Sequence, residues 1–186
     1  MHILAISGSL RAASFNTALL RAAADVAPEG VEVELFSGLD QLPAYNEDDD
    51  LASAPAPVAR LRERIAAADA LIISTPEFNG TMPGHLKTAI DWASRPYGQA
   101  SSLWGKPVLV IGASVTDYGA VWAQDHVRKA LGIAGARVHE GELALTRARE
   151  RFSDAGALDH ADTEEQLVTL IEAFTDTVDR ALLRAA

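Results

Sequence analysis

Ile3-Leu4-Ala5-Ile6-Ser7-Gly8-Ser9-Leu10-Arg11-Ala12-Ala13-Ser14-Phe15-Asn16 carries a short apolar run directly into a hydroxyl-rich turn. Ile3 to Ile6 has the length and aliphatic content of a buried strand. From Asn16 to Val26 the apolar residues recur at helical spacing, with Leu19, Leu20 and Ala23 on one face. A strand that passes into a helix through one polar turn is the first half of a βαβ unit.

The same alternation continues along the chain. Val31, Val33 and Leu35 share one side of a half-buried strand, and a polar loop follows. Pro57 is suited to a helix start, with Val58, Leu61 and Ile65 at helical spacing up to Ala68. Ala70 to Ser74 predicts a central strand. Pro83 opens a helix carrying Leu86 and Ile90, and Pro107 to Gly112 predicts the next buried strand. Gly119 to Leu131 is expected to be helical, stopped by Gly132. A short strand is expected at Ala136 to His139, with a possible continuation through Leu143 to Leu145. Thr163-Glu164-Glu165-Gln166 fits a capping box for a last helix whose stripe is Leu167, Leu170, Ile171, Phe174, Val178 and Leu182. Strands alternating with helices build a parallel sheet covered on both faces. The expected architecture is an α/β three-layer sandwich with a five-stranded parallel sheet of the flavodoxin-like order 2-1-3-4-5. Ligands then sit outside the carboxyl ends of strands one, three and four.

Composition bounds the chemistry. A chain of 186 residues, 48% hydrophobic and 23% charged, is expected to form one globular domain over residues 1–186. Zero Cys removes disulfides, thiolate catalysis and cysteine-ligated metal. A net charge of -10 disfavours nucleic acid as a partner, because phosphate backbones are held by clustered Lys and Arg. No apolar run approaches the roughly 20 residues of a membrane-spanning helix. The first residues show no secretory pattern, so a cytoplasmic address is the expectation.

In the first loop, the exposed N–H groups at the helix start favour an anion. Ser9 and Ser14 add hydroxyls, Asn16 an amide and Arg11 a guanidinium that forks onto phosphate oxygens. Only Gly8 is present of the three glycines of a dinucleotide fingerprint, and the Gly-Lys-Ser/Thr of a P-loop is missing. Ser14 also fits a plain N-cap. In the second loop, two prolines and two glycines between Pro76 and Gly84 fix a closely approachable backbone, suited to recognising a flat heteroaromatic edge through N–H and C=O groups.

The run Pro76-Glu77-Phe78-Asn79-Gly80-Thr81-Met82-Pro83-Gly84-His85-Leu86-Lys87-Thr88-Ala89-Ile90-Asp91-Trp92, together with Gly8-Ser9-Leu10-Arg11 and Ser14-Phe15-Asn16, resembles the NADPH-dependent FMN reductase family of flavodoxin-like proteins, which includes quinone, azo-dye and chromate reductases. The resemblance runs from Ile3 to about Leu131. It implies that Ser9, Arg11, Ser14, Phe15 and Asn16 hold the FMN phosphate, and that Pro76, Glu77, Phe78, Asn79 and Gly80 line the isoalloxazine ring. It also maps Ser114, Gly119 and Ala120 of the third loop onto the family's ring-closing Gly-Gly turn. Two positions depart from the pattern: Phe78 stands where Tyr is usual, and Ala120 replaces the second glycine. Family members are commonly dimers or tetramers, so a homodimer or homotetramer is expected.

Several residues stay open between two uses. Phe78 and Tyr118 suit either a ring contact or, respectively, core and exposed loop. Asp91, Trp92 and Arg95 fit either a subunit interface or a packed Trp with a surface ion pair. Glu47 to Asp50 suits a solvated acidic loop better than a cation site, because no EF-hand spacing surrounds it. The five His show no metal-ligand spacing, so no metal is expected. The expected activity is passage of hydride from NADPH or NADH to a small-molecule electron acceptor (free flavin, quinone, azo compound or metal oxyanion) on non-covalent FMN, with no catalytic general base. The alternatives are a flavodoxin-type electron carrier and a cofactor-free scaffold domain.

Overall fold

The computed structural model describes residues 1–185, without the side chains of residues 51, 52 and 185. Its strands are β1 (His2–Ser7), β2 (Glu32–Leu35), β3 (Ala70–Thr75), β4 (Pro107–Ala113), β5 (Arg137–Val138) and β6 (Ala144–Leu145). The helices are α1 (Phe15–Asp25), α2 (Glu47–Ala52), α3 (Ala56–Ala67), α4 (Gly84–Ala93), α5 (Val121–Ile133) and α6 (Ala161–Ala185). The strands pair in parallel in the order β2-β1-β3-β4-β5, the expected flavodoxin-like α/β arrangement.

Side chains alternate across each strand, so the sheet feeds two cores. Ile3, Ala5, Ile72, Leu109 and Ile111 pack with Leu19 and Leu20 of α1 and with Leu167, Ile171 and Phe174 of α6. Leu4, Ile6, Leu71, Ile73, Val108 and Val110 pack with Leu61, Leu86, Ile90, Val127 and Leu131 of α3, α4 and α5. Leu182, the last member of the expected α6 stripe, lies 41% exposed past the end of the packed face.

Four local expectations are corrected. First, the fifth strand is divided: β5 pairs with the start of β4, and β6 pairs with Gly112 and Ala113 at its end. Between the two pieces the Arg128 guanidinium donates to the carbonyls of His139, Gly141 and Val110, at 2.7, 2.8 and 2.9 Å, and replaces the ladder there. Second, α5 runs through Gly132 and stops at Gly135. Gly135 has φ +88, its N–H donates to Gly132 O, and the Ala136 N–H donates to Leu131 O. Two such bonds behind a left-handed glycine form a Schellman stop. Third, α6 begins at Ala161, two residues before the expected cap, and Thr163 Oγ1 meets His160 Nδ1 at 3.1 Å inside its first turn.

Fourth, the acidic stretch is a helix rather than a loop, although Glu47, Asp48 and Asp49 are exposed to solvent as expected. Asn46 Oδ1 caps α2 by accepting from Asp48 N–H. Asp50 accepts two hydrogen bonds from Arg62, at 2.8 and 2.9 Å, while Arg62 Nε donates to Trp92 O. Trp92 is fully buried, donates its indole N–H to Pro43 O and meets Tyr45 edge-on at 4.8 Å. Asp91 pairs with Lys87 one helical turn before it, on the outer face of α4.

The Arg62 hydrogen bonds hold the Asp50 carboxyl below its ordinary value of 3.8, against the opposing cost of burial. A carboxylate depressed in the folded state contributes stability that is complete above the unfolded value and lost as pH falls through the folded one. Urea midpoints at pH 6 and pH 3 should therefore differ more for the wild type than for Asp50→Asn, and equal differences would contradict the assignment.

Candidate functional site

The registers place three loops at one rim. Ser7 is level with Ser74, and Thr75 with Gly112, so β1, β3 and β4 end together. The turns that leave them, residues 8–14, 76–83 and 114–120, therefore share the carboxyl edge of the sheet.

The first turn is held close to the sheet. Gly8 N–H donates to Ser74 O at 2.7 Å, and a Cβ at Gly8 would stand 2.8 Å from Leu86 Cδ2 and 3.3 Å from Pro76 Cδ. Thr17 Oγ1 donates to Ser7 Oγ, which also accepts the Ser9 N–H. Ser14 is extended (φ -86, ψ 126) and accepts from Thr17 N–H at 3.3 Å, an ordinary N-cap. Ser9 is half-buried and Arg11 exposed, with the guanidinium folded onto Ala13 O at 2.5 Å. Phe15 is half-buried against Phe152, with ring centroids 5.7 Å apart.

Asn16 points inward. Its Oδ1 accepts from Ser74 Oγ at 2.8 Å and from Ala113 N–H at 3.0 Å, and its Nδ2 donates to Ala113 O at 3.0 Å. It is 3% exposed. The amide thus pins the start of α1 to the ends of β3 and β4.

In the second turn, Phe78 N–H donates to Thr81 O at 2.9 Å and Thr81 N–H to Phe78 O at 3.2 Å. Asn79 (φ 53) and Gly80 (φ 73) fill the two positive-φ positions between them. This is a two-residue type I′ hairpin, for which Asn-Gly is the preferred pair, and that dipeptide signalled the turn in the sequence. Among the described residues, the N–H groups of Glu77, Asn79 and Gly80 donate to no protein acceptor. Pro76 O accepts from Thr75 Oγ1. Glu77 Oε2 instead accepts from Ala123 N–H in the first turn of α5, at 3.2 Å. Phe78 is 52% exposed, so it is not a core residue.

The third turn is pinned to β6. Ser114 N–H donates to Leu145 O, and its hydroxyl shares a 2.9 Å hydrogen bond with Thr116 Oγ1. Gly119 (φ 58) lies against Ala144, and Ala120 is buried in the left-handed region at φ 61, ψ 33. The buried Gln124 donates to Gly119 O at 3.0 Å and Leu143 O at 3.3 Å. Tyr118 and Trp122 pair at 5.0 Å, both strongly exposed. Gln124, Ser74 and Trp122 were not singled out from the sequence; Ser74 and Gln124 reach residues far along the chain, Asn16 and Leu143, whereas Trp122 pairs with Tyr118 only one turn before it, a spacing that could have marked it.

Residues 1–150 match the NADPH-dependent FMN reductase family. The chain belongs to that family. An NAD(P)H-dependent FMN reductase of Pseudomonas aeruginosa is 43% identical over 159 residues, covering 85% of this chain and 84% of that protein. A 2-hydroxy-1,4-benzoquinone reductase of a Burkholderia species is 37% identical over 176 residues, covering 94% of each. Among solved structures, the flavoenzyme NAD(P)H:(acceptor) oxidoreductase of Paracoccus denitrificans superposes with a TM-score of 0.87 at 36% identity, covering 96% of this chain and 97% of that one. This FMN reductase family member is therefore an oxidoreductase that uses FMN with NAD(P)H. The donor set at the rim fits that cofactor: a capped helix start with a hydroxyl and a guanidinium side chain suits a phosphate, and a hairpin with unpaired N–H groups suits the polar edge of a flavin.

Proposed function

We propose that the chain is an FMN-dependent NAD(P)H:quinone or NAD(P)H:flavin reductase. Support comes chiefly from the shared rim of the three turns: the anion-favouring helix start and the flavin-edge hairpin lie at adjacent strand ends. In this proposal Ser9, Arg11, Ser14 and the α1 N-terminus hold the phosphate, with Phe15 packed behind them and Asn16 fixing the cradle. Pro76, Glu77, Phe78, Asn79 and Gly80 form the ring platform, closed by Ser114, Gly119 and Ala120. Bound FMN supplies the hydride and electron chemistry between NAD(P)H and the acceptor. The chain contributes position, through the hairpin, and preorganised donors, through the Asn79 and Gly80 N–H groups, which favour added negative charge.

Flat aromatic acceptors are the substrate class we favour. Phe78, Tyr118 and Trp122 are 52%, 58% and 47% exposed around the junction of the second and third turns, a surface that stacks on rings and carries no cation for an inorganic oxyanion. With the FMN-loaded protein and NADPH, benzoquinone should turn over faster than chromate at equal concentration. A preference for chromate would overturn the aromatic assignment.

Arg11→Ala should weaken FMN binding by roughly 10- to 150-fold, the range of a charge-assisted hydrogen bond of about 1.5–3 kcal/mol. Titration of the FMN-free protein checks this, and unchanged affinity removes Arg11 from the phosphate site.

A second copy of the chain is the occupant we propose for the groove between α4 and α5. The groove, of about 630 Å³, begins at Thr81 and Met82 beside the hairpin and continues past Ile90, Tyr97 and Ile133. Ile133 and Tyr97 are 64% and 69% exposed on its walls, an apolar surface that a self-associating chain covers. Sedimentation at micromolar concentration should show a dimer or tetramer, against which a monomer would count. Among the described residues no helix is long and apolar enough to cross a membrane. We place the enzyme in the cytoplasm, where its reductant is made.

A further inference from the structure

The helix that backs the third turn starts badly. Ala120 stands at its N-cap position in a left-handed conformation and has only a methyl group, so it cannot accept a first-turn N–H. Ala123, in that first turn, is fully buried and has no water alternative for its N–H. The acceptor comes from 46 residues away: Glu77 Oε2, at 3.2 Å. Glu77 lies immediately before the Phe78–Thr81 hairpin, so the same carboxylate joins the hairpin to α5.

We infer that Glu77 is a positioning and electrostatic residue: its carboxylate caps α5, locks the second turn to the third, and places a negative charge beside the ring platform. The inference rests on the proposed FMN site. A helix start carries about half a positive elementary charge, which by itself favours the extra negative charge of a reduced flavin. A carboxylate bonded to that helix start offsets this, so Glu77 holds the bound flavin at a lower reduction potential than the backbone alone would. The family resemblance placed Glu77 in the ring platform, with no role given to its side chain. The geometry separates the main chain, which serves the platform, from the side chain, which serves the helix.

Two variants separate the cap from the charge. Glu77→Gln keeps an oxygen that accepts from Ala123 N–H and removes the charge. It should leave the melting temperature of the FMN-free protein close to wild type and strengthen binding of reduced over oxidised FMN about tenfold, an upward shift of about 30 mV for a two-electron couple. Glu77→Ala removes both. It should lower the melting temperature of the FMN-free protein by roughly 2–6 °C, the loss of one helix cap in a chain of this size, and weaken oxidised FMN roughly tenfold by loosening the platform. Spectroelectrochemical titration of the FMN-loaded proteins and calorimetry of the FMN-free proteins provide the readouts. An unchanged or lowered potential in Glu77→Gln overturns the electrostatic role, and wild-type stability in Glu77→Ala overturns the cap. If the wild type itself binds no FMN, the proposed function fails, whereas the calorimetric comparison still decides the cap.

Discussion

Gly119→Ala is expected to lower the stability of the FMN-free protein by about 2–5 kcal/mol, from left-handed strain and forced overpacking together. In a chain of this size that is roughly 5–15 °C in melting temperature. An added Cβ would stand 2.5 Å from Ala144 C and 2.6 Å from its O, and φ there is +58. The atoms it meets are backbone, so relief requires displacing β6 from its pairing with Gly112 and Ala113. The Gln124 hydrogen bonds to Gly119 O and Leu143 O lie in the same contact and are disturbed with it. Gly80→Ala is the matched control. Its φ is +73, but nothing lies within 4 Å of the added Cβ, so only the conformational cost of about 1–2 kcal/mol applies. Calorimetry of both variants checks the difference. Equal losses would show that the contact with Ala144 carries no weight.

Asn16→Ala is expected to destabilise the FMN-free protein by about 2–4 kcal/mol. Removing the amide leaves the Ser74 hydroxyl and both the N–H and C=O of Ala113 without their partner in a buried site, and each such group costs about 1–3 kcal/mol before local relaxation. The measurement discriminates between two uses of Asn16. A residue that serves only as a phosphate ligand leaves the stability of the FMN-free protein unchanged when it is removed, whereas a pin between α1, β3 and β4 does not. Thermal unfolding without FMN, followed by FMN titration of the same preparation, separates them. Loss of FMN affinity with wild-type stability would return Asn16 to the phosphate.

The two cases show how far the sequence could be followed. Period-two and period-3.6 patterns are local, and they placed both ends of β1, α1, β3 and β4, and the start of α4, within a residue or two of those observed. The strand order and the shared rim followed from that alternation. What local pattern could not carry was any partner far along the chain. Asn16 was assigned to phosphate from its amide at a helix start and from the family resemblance; that its side chain bonds Ser74 and Ala113 was not legible. Gly132 was taken as the stop of α5 because glycine tends to end helices, but only Gly135 has the positive φ that a Schellman stop requires. Its lack of a side chain is also what lets Trp104 lie against it, since a Cβ there would come within 2.3 Å of that ring. In the acidic run at Glu47 the pairing of Asp50 was missed because Arg62, which neutralises it, belongs to the next helix. The divided edge strand depends likewise on Arg128, whose guanidinium replaces ladder bonds that no spacing rule anticipates.

The departures from the family pattern also acquire physical content. Phe78 keeps an aromatic face at the rim with no hydroxyl, and its backbone is held by the Asn79-Gly80 hairpin regardless of side chain. Ala120 holds a left-handed backbone at φ 61, a region that glycine enters freely, and Glu77 provides the cap that Ala120 cannot.

The central claim is that a phosphate seated at the start of α1 anchors the flavin whose ring lies on the Phe78–Thr81 hairpin. Side-by-side titration of the FMN-free protein with FMN and with riboflavin, which differs only by that phosphate, tests it most directly. FMN should bind at least a hundredfold more tightly than riboflavin, the equivalent of about 2.8 kcal/mol. Equal affinities for the two would contradict it.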